Sequence, residues 1–233
     1  RILRKISQLY TVRVVSYQVM SNHFHILLHT PEALPSSEET CRRFEAFHGG
    51  KRTLELNSEH CRQWHERLRD VSWFMRHLQH LYTAWHNRTR PIRRRGPLWA
   101  GRFKNTIIES GAALWACWTY IEYNPVRARM VADPADYRFC SYGAWNQSGR
   151  HPFAENATCW LLPALPESFG ALSLDGVQAR MRQDFARLSE TDAHASEGTT
   201  APAMAQPGKI QPLTLVARRR VRVGAVAWSR HGV

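Results

Sequence analysis

Apolar and polar positions alternate like those of β-strands near the start of the chain. Residues 10–20 are rich in β-branched and aromatic side chains, which predicts a strand that contains a bulge. Ser21 and Asn22 form a turn-like pair, and residues 23–29 then alternate with a period of two. We therefore predict an antiparallel β-hairpin in this region.

Three later stretches have the apolar periodicity of amphipathic helices. Apolar residues recur at steps of three and four over residues 64–85, which predicts one helix of about six turns. A shorter helix passes through residues 114–121 and is limited by Pro125, because a residue before proline avoids the α-helical region. A third helix is predicted to begin after Ser173, whose hydroxyl suits an N-cap.

The charge of the chain narrows the choice of partners. The 233 residues include 32 Lys and Arg against 19 Asp and Glu, which gives a formal net charge of +13. An excess of this size favours a polyanionic partner. Aromatic residues make up 11% of the chain and supply stacking surfaces, which single-stranded nucleic acids use more than duplexes do.

The sequence also predicts where the protein resides. No run approaches the ~18 consecutive apolar residues that a membrane-spanning helix needs, so we expect a soluble chain with no membrane partner. The five cysteines form no C-x-x-C pair and fit neither a disulfide framework nor a zinc ribbon. They favour reduced thiols in a cytoplasmic protein.

The sequence His23-Phe24-His25 places two imidazoles on one face of the second predicted strand, while Phe24 points to the opposite face. Two imidazoles with this spacing can converge on one divalent ion, but a firm site needs a third ligand from elsewhere. Two surface histidines with no ligand fit the same pattern, so both interpretations stay open.

Tyr120 and Asn124 lie four residues apart on the shorter helix and therefore share one of its faces. They can be a half-buried aromatic and a polar residue at a helix end. Alternatively, the Asn124 carbonyl oxygen is the third metal ligand and Tyr120 is a nucleophile beside the ion. A tyrosine that attacks a phosphodiester forms a phosphotyrosine ester, which stores the energy for rejoining without ATP. Consistent with this, the chain has no G-x-x-x-x-G-K-[ST] phosphate loop.

Residues 88–104 combine basic and aromatic side chains and contain no acidic residue. Such a stretch is either a solvated charged face or a contact surface for nucleic acid, and the interleaved aromatic side chains favour nucleic acid. The predicted contact residues are Arg93, Arg94, Arg95, Trp99, Arg102 and Lys104.

Three segments, in this order, resemble the REP-associated tyrosine transposases, which are HUH-type relatives of the insertion-sequence TnpA transposases. They are MSNHFHILLHTPE, GPLWAGRFKNTIIE and WTYIEYNPVRARMVADPADYRFCSY. The later segment WLLPALPESFG is similar to the C-terminal part of longer members, so the resemblance covers residues 10–188. It implies an α+β fold, with a ferredoxin-like antiparallel sheet, helices packed on one face, and the family's first strand lacking from this chain.

The resemblance also implies an activity. The family nicks single-stranded DNA beside hairpins with the help of a divalent metal ion, Mg²⁺ or Mn²⁺, and leaves a 5′-phosphotyrosine and a free 3′-OH. By motif, His23 and His25 match the metal-binding histidines, Tyr120 matches the nucleophile and Asn124 matches the polar residue one turn later. Tyr123 is a second candidate nucleophile that the motif does not favour.

The resemblance, together with the composition of residues 189–233, divides the chain into three parts. Residues 1–150 are expected to form the HUH-type catalytic domain, residues 151–188 a helical extension, and residues 189–233 a flexible linker with a basic tail. The expected partner is single-stranded or hairpin DNA. The sequence leaves open whether the chain forms a homodimer.

Two alternatives compete with a DNA-cleaving transposase. The first is a non-catalytic or domesticated relative that binds hairpin DNA without cutting it. The second is a zinc site on the long predicted helix, formed by His77 and His80 together with His65 or His86.

Overall fold

The computed structural model describes residues 1–91, 98–99, 101, 103–109, 111–170, 172–197 and 223–229. The helices are α1 (Ile2–Leu9), α2 (Ser37–Phe47), α3 (Glu59–Arg67), α4 (Val71–Thr89), α5 (Ala112–Arg127), α6 (Ser141–Ser148), α7 (Ala154–Asn156) and α8 (Leu174–Glu197). The strands are β1 (Arg13–Val19), β2 (His23–His29), β3 (Lys104–Ile108) and β4 (Val223–Ser229). The predicted α+β class is therefore confirmed.

The predicted hairpin is present, and its strands lie within the predicted ranges. Strands β1 and β2 pair antiparallel, and the register shifts between Val14 and Ser16, where the chain has a bulge. The bulge leaves Val14 and Val15 both buried, in different apolar cores. Strand β1 therefore contributes buried side chains to the cores on both faces of the sheet.

The four strands form one antiparallel sheet in the order β1-β2-β4-β3. Strand β4, from the far end of the chain, therefore occupies an interior position and pairs with both β2 and β3. We expected a flexible segment over residues 189–233. Instead, helix α8 extends to Glu197 and the last described segment is a sheet strand. The basic residues of the predicted tail lie outside the described residues.

Helices cover both faces of the sheet, so the prediction that they pack on one face is wrong. Ile26 and Leu28 of β2 pack into a core with residues of α1, α2 and α4. Leu27, which points to the opposite face, packs into a second core with α5, α6 and α8. The consecutive apolar residues at the end of β2 explain this arrangement, because a strand buried on both faces needs apolar side chains at successive positions.

The long helix predicted over residues 64–85 is two helices, α3 and α4. The Asp70 carboxylate accepts hydrogen bonds from the backbone N–H groups of Ser72 at 2.5 Å and Trp73 at 3.2 Å, and it caps the start of α4. Leu68, in the short break between the helices, is fully buried. The apolar spacing therefore continues across the break, which is why the pattern resembles one helix.

Helix α5 also differs slightly from its predicted end. Pro125 lies inside the helix, which continues to Arg127. Proline removes one backbone donor, but the next turn closes normally, since the N–H of Ala128 donates to the carbonyl of Asn124 at 2.9 Å. Helix α8 begins directly after Ser173, as predicted. Within the described part of the chain, none of the helices has the length and apolarity needed to cross a bilayer.

Candidate active site

His23 and His25 project from the same face of β2, as the strand alternation predicts. Their ring centroids are 5.1 Å apart, and the rings are nearly perpendicular, at 89°. Both side chains are partly buried. The two imidazoles are therefore close enough to act together on one bound group.

Both histidines are neutral near pH 7. Burial and, to a lesser extent, the neighbouring His23 together lower the pKa of His25 to about 4. Burial also lowers the pKa of His23. The Nδ1 atom of His23 lies 2.7 Å from Oδ1 of Asn22, and Asn22 can only accept there, so Nδ1 carries the proton. The lone pair of His23 Nε2 is thus available to a metal ion.

The structure brings Tyr120 to this histidine pair. Its ring, on α5, lies 6.4 Å from the ring of His25, at an interplanar angle of 80°. The guanidinium carbon of Arg127, two turns further along α5, is 5.4 Å from the centroid of the Tyr120 ring. A phenol, two neutral imidazoles and a cation therefore lie together between β2 and α5. Sequence analysis missed Arg127 as part of this group.

Asn124 lies one turn after Tyr120 on α5, and its amide Nδ2 is buried without a hydrogen-bond partner among the described residues. Buried amides are normally satisfied, so this donor suits an acceptor, such as a phosphate oxygen, on a molecule beyond the chain itself, and it leaves Oδ1 as the atom that could hold a cation. Two neutral imidazoles and a carboxamide are a donor set that divalent ions accept. The residues present therefore fit the ion that the family resemblance implies.

Tyr123, the second candidate nucleophile, belongs to the core. It is only 2% exposed, and its ring stacks on Phe185 of α8 with centroids 5.6 Å apart and an angle of 21°. Burial raises the pKa of its hydroxyl. Tyr120 is therefore the more accessible of the two hydroxyls, since its side chain is only partly buried.

Glu122 is a buried carboxyl group behind Tyr120 that sequence analysis missed. It is fully buried and accepts hydrogen bonds from Ser16 Oγ at 2.6 Å and from the backbone N–H of Tyr142 at 3.0 Å. Burial raises its pKa to about 7. The carboxyl group connects β1, α5 and α6 behind the candidate site. Its position four residues after Trp118, on the apolar stripe of α5, is the sequence signal that could have revealed it.

Gln18 is a second missed polar residue on this face of the sheet. It pairs with His25 across the hairpin and is fully buried. Its Oε1 has no hydrogen-bond partner among the described residues, while Nε2 lies 3.0 Å from the sulfur of Met20. An amide in an otherwise apolar strand was the available signal.

The predicted nucleic-acid residues fall into three groups. Lys104 is exposed at the start of β3. Ala227 of β4 pairs with His25 on one side and with Lys104 on the other, so Lys104 shares the face of His25, with about 10 Å between their backbones. Trp99 instead packs on Phe24, on the opposite face. The remaining predicted contacts, Arg93, Arg94, Arg95 and Arg102, lie outside the described residues.

The alternative zinc site does not form. Within the ranges that the structure describes, no three His, Cys, Asp or Glu side chains come together as metal ligands. His77 instead packs against aromatic side chains, with its ring 5.9 Å from that of Tyr10 and 5.2 Å from that of Phe47. His80, by contrast, is exposed.

Comparison with protein-family models, with curated proteins and with solved structures finds no match for this chain. The functional assignment therefore depends on the residues of the site and on the resemblance of the three sequence segments.

Proposed function

We propose that the protein is a metal-dependent enzyme that nicks single-stranded DNA beside hairpins and transfers strands through a phosphotyrosine at Tyr120. The main support is the approach of Tyr120 to His25, at 6.4 Å between ring centroids, from elements far apart in the sequence. A structural tyrosine would not need two neutral imidazoles and a cation beside it.

His23, His25 and Asn124 would hold the divalent ion, Mg²⁺ or Mn²⁺. When bound, the ion would make the phosphorus more electrophilic and neutralise developing negative charge. The lowered pKa values of the two histidines serve this role, because only a neutral imidazole has a lone pair for a metal. The hydrogen bond from His23 to Asn22 would orient the ring of His23.

Tyr120 would act as the nucleophile. Its Oη forms a bond to phosphorus while the bond from phosphorus to the 3′ oxygen breaks. The DNA is left with a 5′-phosphotyrosine linkage and a free 3′-OH, and the proton lost by the phenol is balanced by the one gained at the 3′ oxygen. Strand transfer is the reverse reaction with a different 3′-OH, so no external energy source is required.

Arg127 and Lys104 would position the DNA backbone. Arg127 lies against the ring of Tyr120, and Lys104 is on the same face of the sheet as His25. A phosphate that reaches the Tyr120 hydroxyl would thus lie between cations from α5 and β3. Positive charge at both sides favours a bound phosphodiester.

The test is formation of a covalent adduct with labelled hairpin DNA that carries a single-stranded flank, in the presence of Mg²⁺ or Mn²⁺. We expect the wild-type protein to form an adduct that survives denaturation, and we expect Tyr120→Phe to form none. Tyr123→Phe is the matched control and should retain the adduct, because Tyr123 is buried against Phe185.

An adduct in Tyr120→Phe would contradict the proposal. If the wild-type protein binds the hairpin but forms no adduct with either ion, the non-catalytic alternative replaces it. Hairpin binding should be measured in parallel so that these outcomes can be separated.

A further inference from the structure

A second candidate site adjoins the histidine pair. A groove of about 690 Å³ opens between the β1–β2 hairpin, the start of α1 and the second half of α4. Its aromatic lining consists of Tyr17, Phe24, Tyr82, Trp85, Trp99 and Phe153. His23 and His25 also line the groove, whereas Tyr120 does not, so the groove is continuous with the histidine side of the candidate active site.

The aromatic side chains form a continuous series. Tyr82 is 5.4 Å from Trp85 and 5.4 Å from Trp99, and Trp99 is 5.7 Å from Phe24, measured between ring centroids. Trp85 is 44% exposed, so its ring is accessible to a ligand. The series therefore offers ring faces and edges to a planar ligand without needing the core to open.

The charge around the groove selects the kind of ligand. The described lining contains no Asp or Glu, and it includes the exposed Arg4 at its rim. Arg88 and Arg90 are exposed shortly after Trp85, at the end of α4. Aromatic rings beside cations, without acids, fit an anionic chain that carries flat rings better than they fit an apolar peptide.

We propose that this groove stacks the unpaired bases of single-stranded DNA. The proposal rests on the proposed function for the choice of DNA. Because Phe24 lies between His23 and His25 in β2, its ring and the two imidazoles point to opposite faces of the strand, and the groove borders all three side chains. The groove is also lined by Ser21 and Asn22 of the hairpin turn, so a DNA strand that rounds this turn reaches both sites.

The experiment compares binding of three fluorescent probes by anisotropy: a single-stranded oligonucleotide, the same oligonucleotide with abasic positions, and its full duplex. We expect Trp85→Ala to weaken binding of the intact single strand about 10-fold, since stacking on one aromatic contributes about 1–3 kcal/mol. Duplex binding should not change. The abasic probe should bind the wild-type protein more weakly, with little further loss in Trp85→Ala.

Trp160→Ala is the matched control, because Trp160 is 38% exposed and stacks on His29 at the other end of β2. It should bind all three probes like the wild type. Trp85→Phe should recover most of the affinity, whereas Trp85→Leu, which keeps the apolar bulk, should not. The Phe and Leu variants show whether a loss of affinity in Trp85→Ala is caused by loss of the aromatic ring or by loss of the folded structure.

Unchanged single-strand affinity in both Trp85→Ala and Trp85→Leu would overturn the proposal and leave the groove to another ligand, such as an apolar peptide. An equal loss for the duplex would also overturn it. The two proposals can fail separately. If no adduct forms but single-strand binding depends on Trp85, the groove proposal is supported and the proposed enzymatic activity is not. If Tyr120 forms the adduct and Trp85 has no effect on binding, only the groove proposal fails.

Discussion

The two faces of strand β2 differ in chemistry, although both are formed by the same seven residues, whose side chains point alternately to one face and the other. One face presents His23 and His25 to the phenol of Tyr120 on α5. The other presents Phe24 to Trp99 and the aromatic groove beside α4. Because side chains alternate along a strand, one strand can present a polar site on one face and aromatic side chains on the other. Here α5 lies against the polar face and α4 lies against the aromatic face. Substitutions on the two faces should therefore have separable effects, one on cleavage and the other on binding.

The largest expected effect is on the polar face. We expect His25→Ala to lower the rate of adduct formation by about 100-fold or more, because loss of even an outer-shell partner of a metal ligand costs about 10–100-fold. Single-strand affinity should change less, because the aromatic side chains around Trp85 and Trp99 provide most of the stacking surface. The measurements are adduct formation against Mg²⁺ or Mn²⁺ concentration and probe anisotropy.

His80→Ala is the control for that comparison, since His80 is an exposed imidazole on α4. It should match the wild type in both measurements. If His25→Ala cleaves normally, or if it loses binding and cleavage in proportion, the two faces of β2 do not divide the work as proposed.

A change in β4 should impair both faces together. Strand β4 is interior, so proline at Ala225 removes a backbone donor from the ladder that supports β2. We expect Ala225→Pro to lower the free energy of unfolding by about 1–3 kcal/mol, measured by urea denaturation. Adduct formation and single-strand binding should fall with it.

Ala112→Pro is the matched substitution, because Ala112 is the first residue of α5 and proline is tolerated at that position of a helix. It should leave the urea transition nearly unchanged. Equal stability of Ala225→Pro and the wild type would show that β4 does not contribute to the sheet that holds the histidines.

The smallest effect concerns the buried carboxyl group behind the polar face. Folding raises the pKa of Glu122 from 4.5 to about 7, so its contribution to stability is fully present below pH 4.5 and is lost as the pH rises through about 7. We expect the free energy of unfolding to fall between pH 6 and pH 8, and the fall to be smaller in Glu122→Gln. The lowered pKa of His25 acts in the opposite direction, with stability lost as the pH falls from 6.5 towards about 4.

Urea denaturation at a series of pH values provides this measurement. Glu155→Gln, at the single turn α7, is the control, because the Glu155 side chain is exposed there. It should keep the pH dependence of the wild type. Identical pH profiles for Glu122→Gln and the wild type would show that Glu122 titrates normally in the folded protein.

The parts of the fold that the sequence predicted are those determined by neighbouring residues. The hairpin, its bulge and the start of α8 follow from local alternation, turn residues and an N-cap. The apolar pattern predicts one helix where the structure has α3 and α4, because the buried Leu68 keeps the apolar spacing across the short break. The role of β4 could not be predicted, because its partners in β2 and β3 are distant in the sequence and no local pattern specifies such pairing.

The candidate site likewise combines features that the local sequence predicts with features that depend on tertiary packing. The positions of His23 and His25 follow from strand alternation alone, while their approach to Tyr120 depends on how α5 packs on the sheet. Glu122 and Arg127 gain their roles only from tertiary contacts, a buried hydrogen-bond network in one case and a stacked ring in the other. A sequence pattern can propose such residues only once the face of α5 that meets β2 is known.

Mass spectrometry of the protein after reaction with hairpin DNA and nuclease trimming tests the central claim most directly. The proposal predicts a nucleotide attached through its 5′-phosphate to the peptide that contains Tyr120, with the modification on Tyr120 itself. Attachment to Tyr123 or to any residue away from the His23–His25 pair would contradict it.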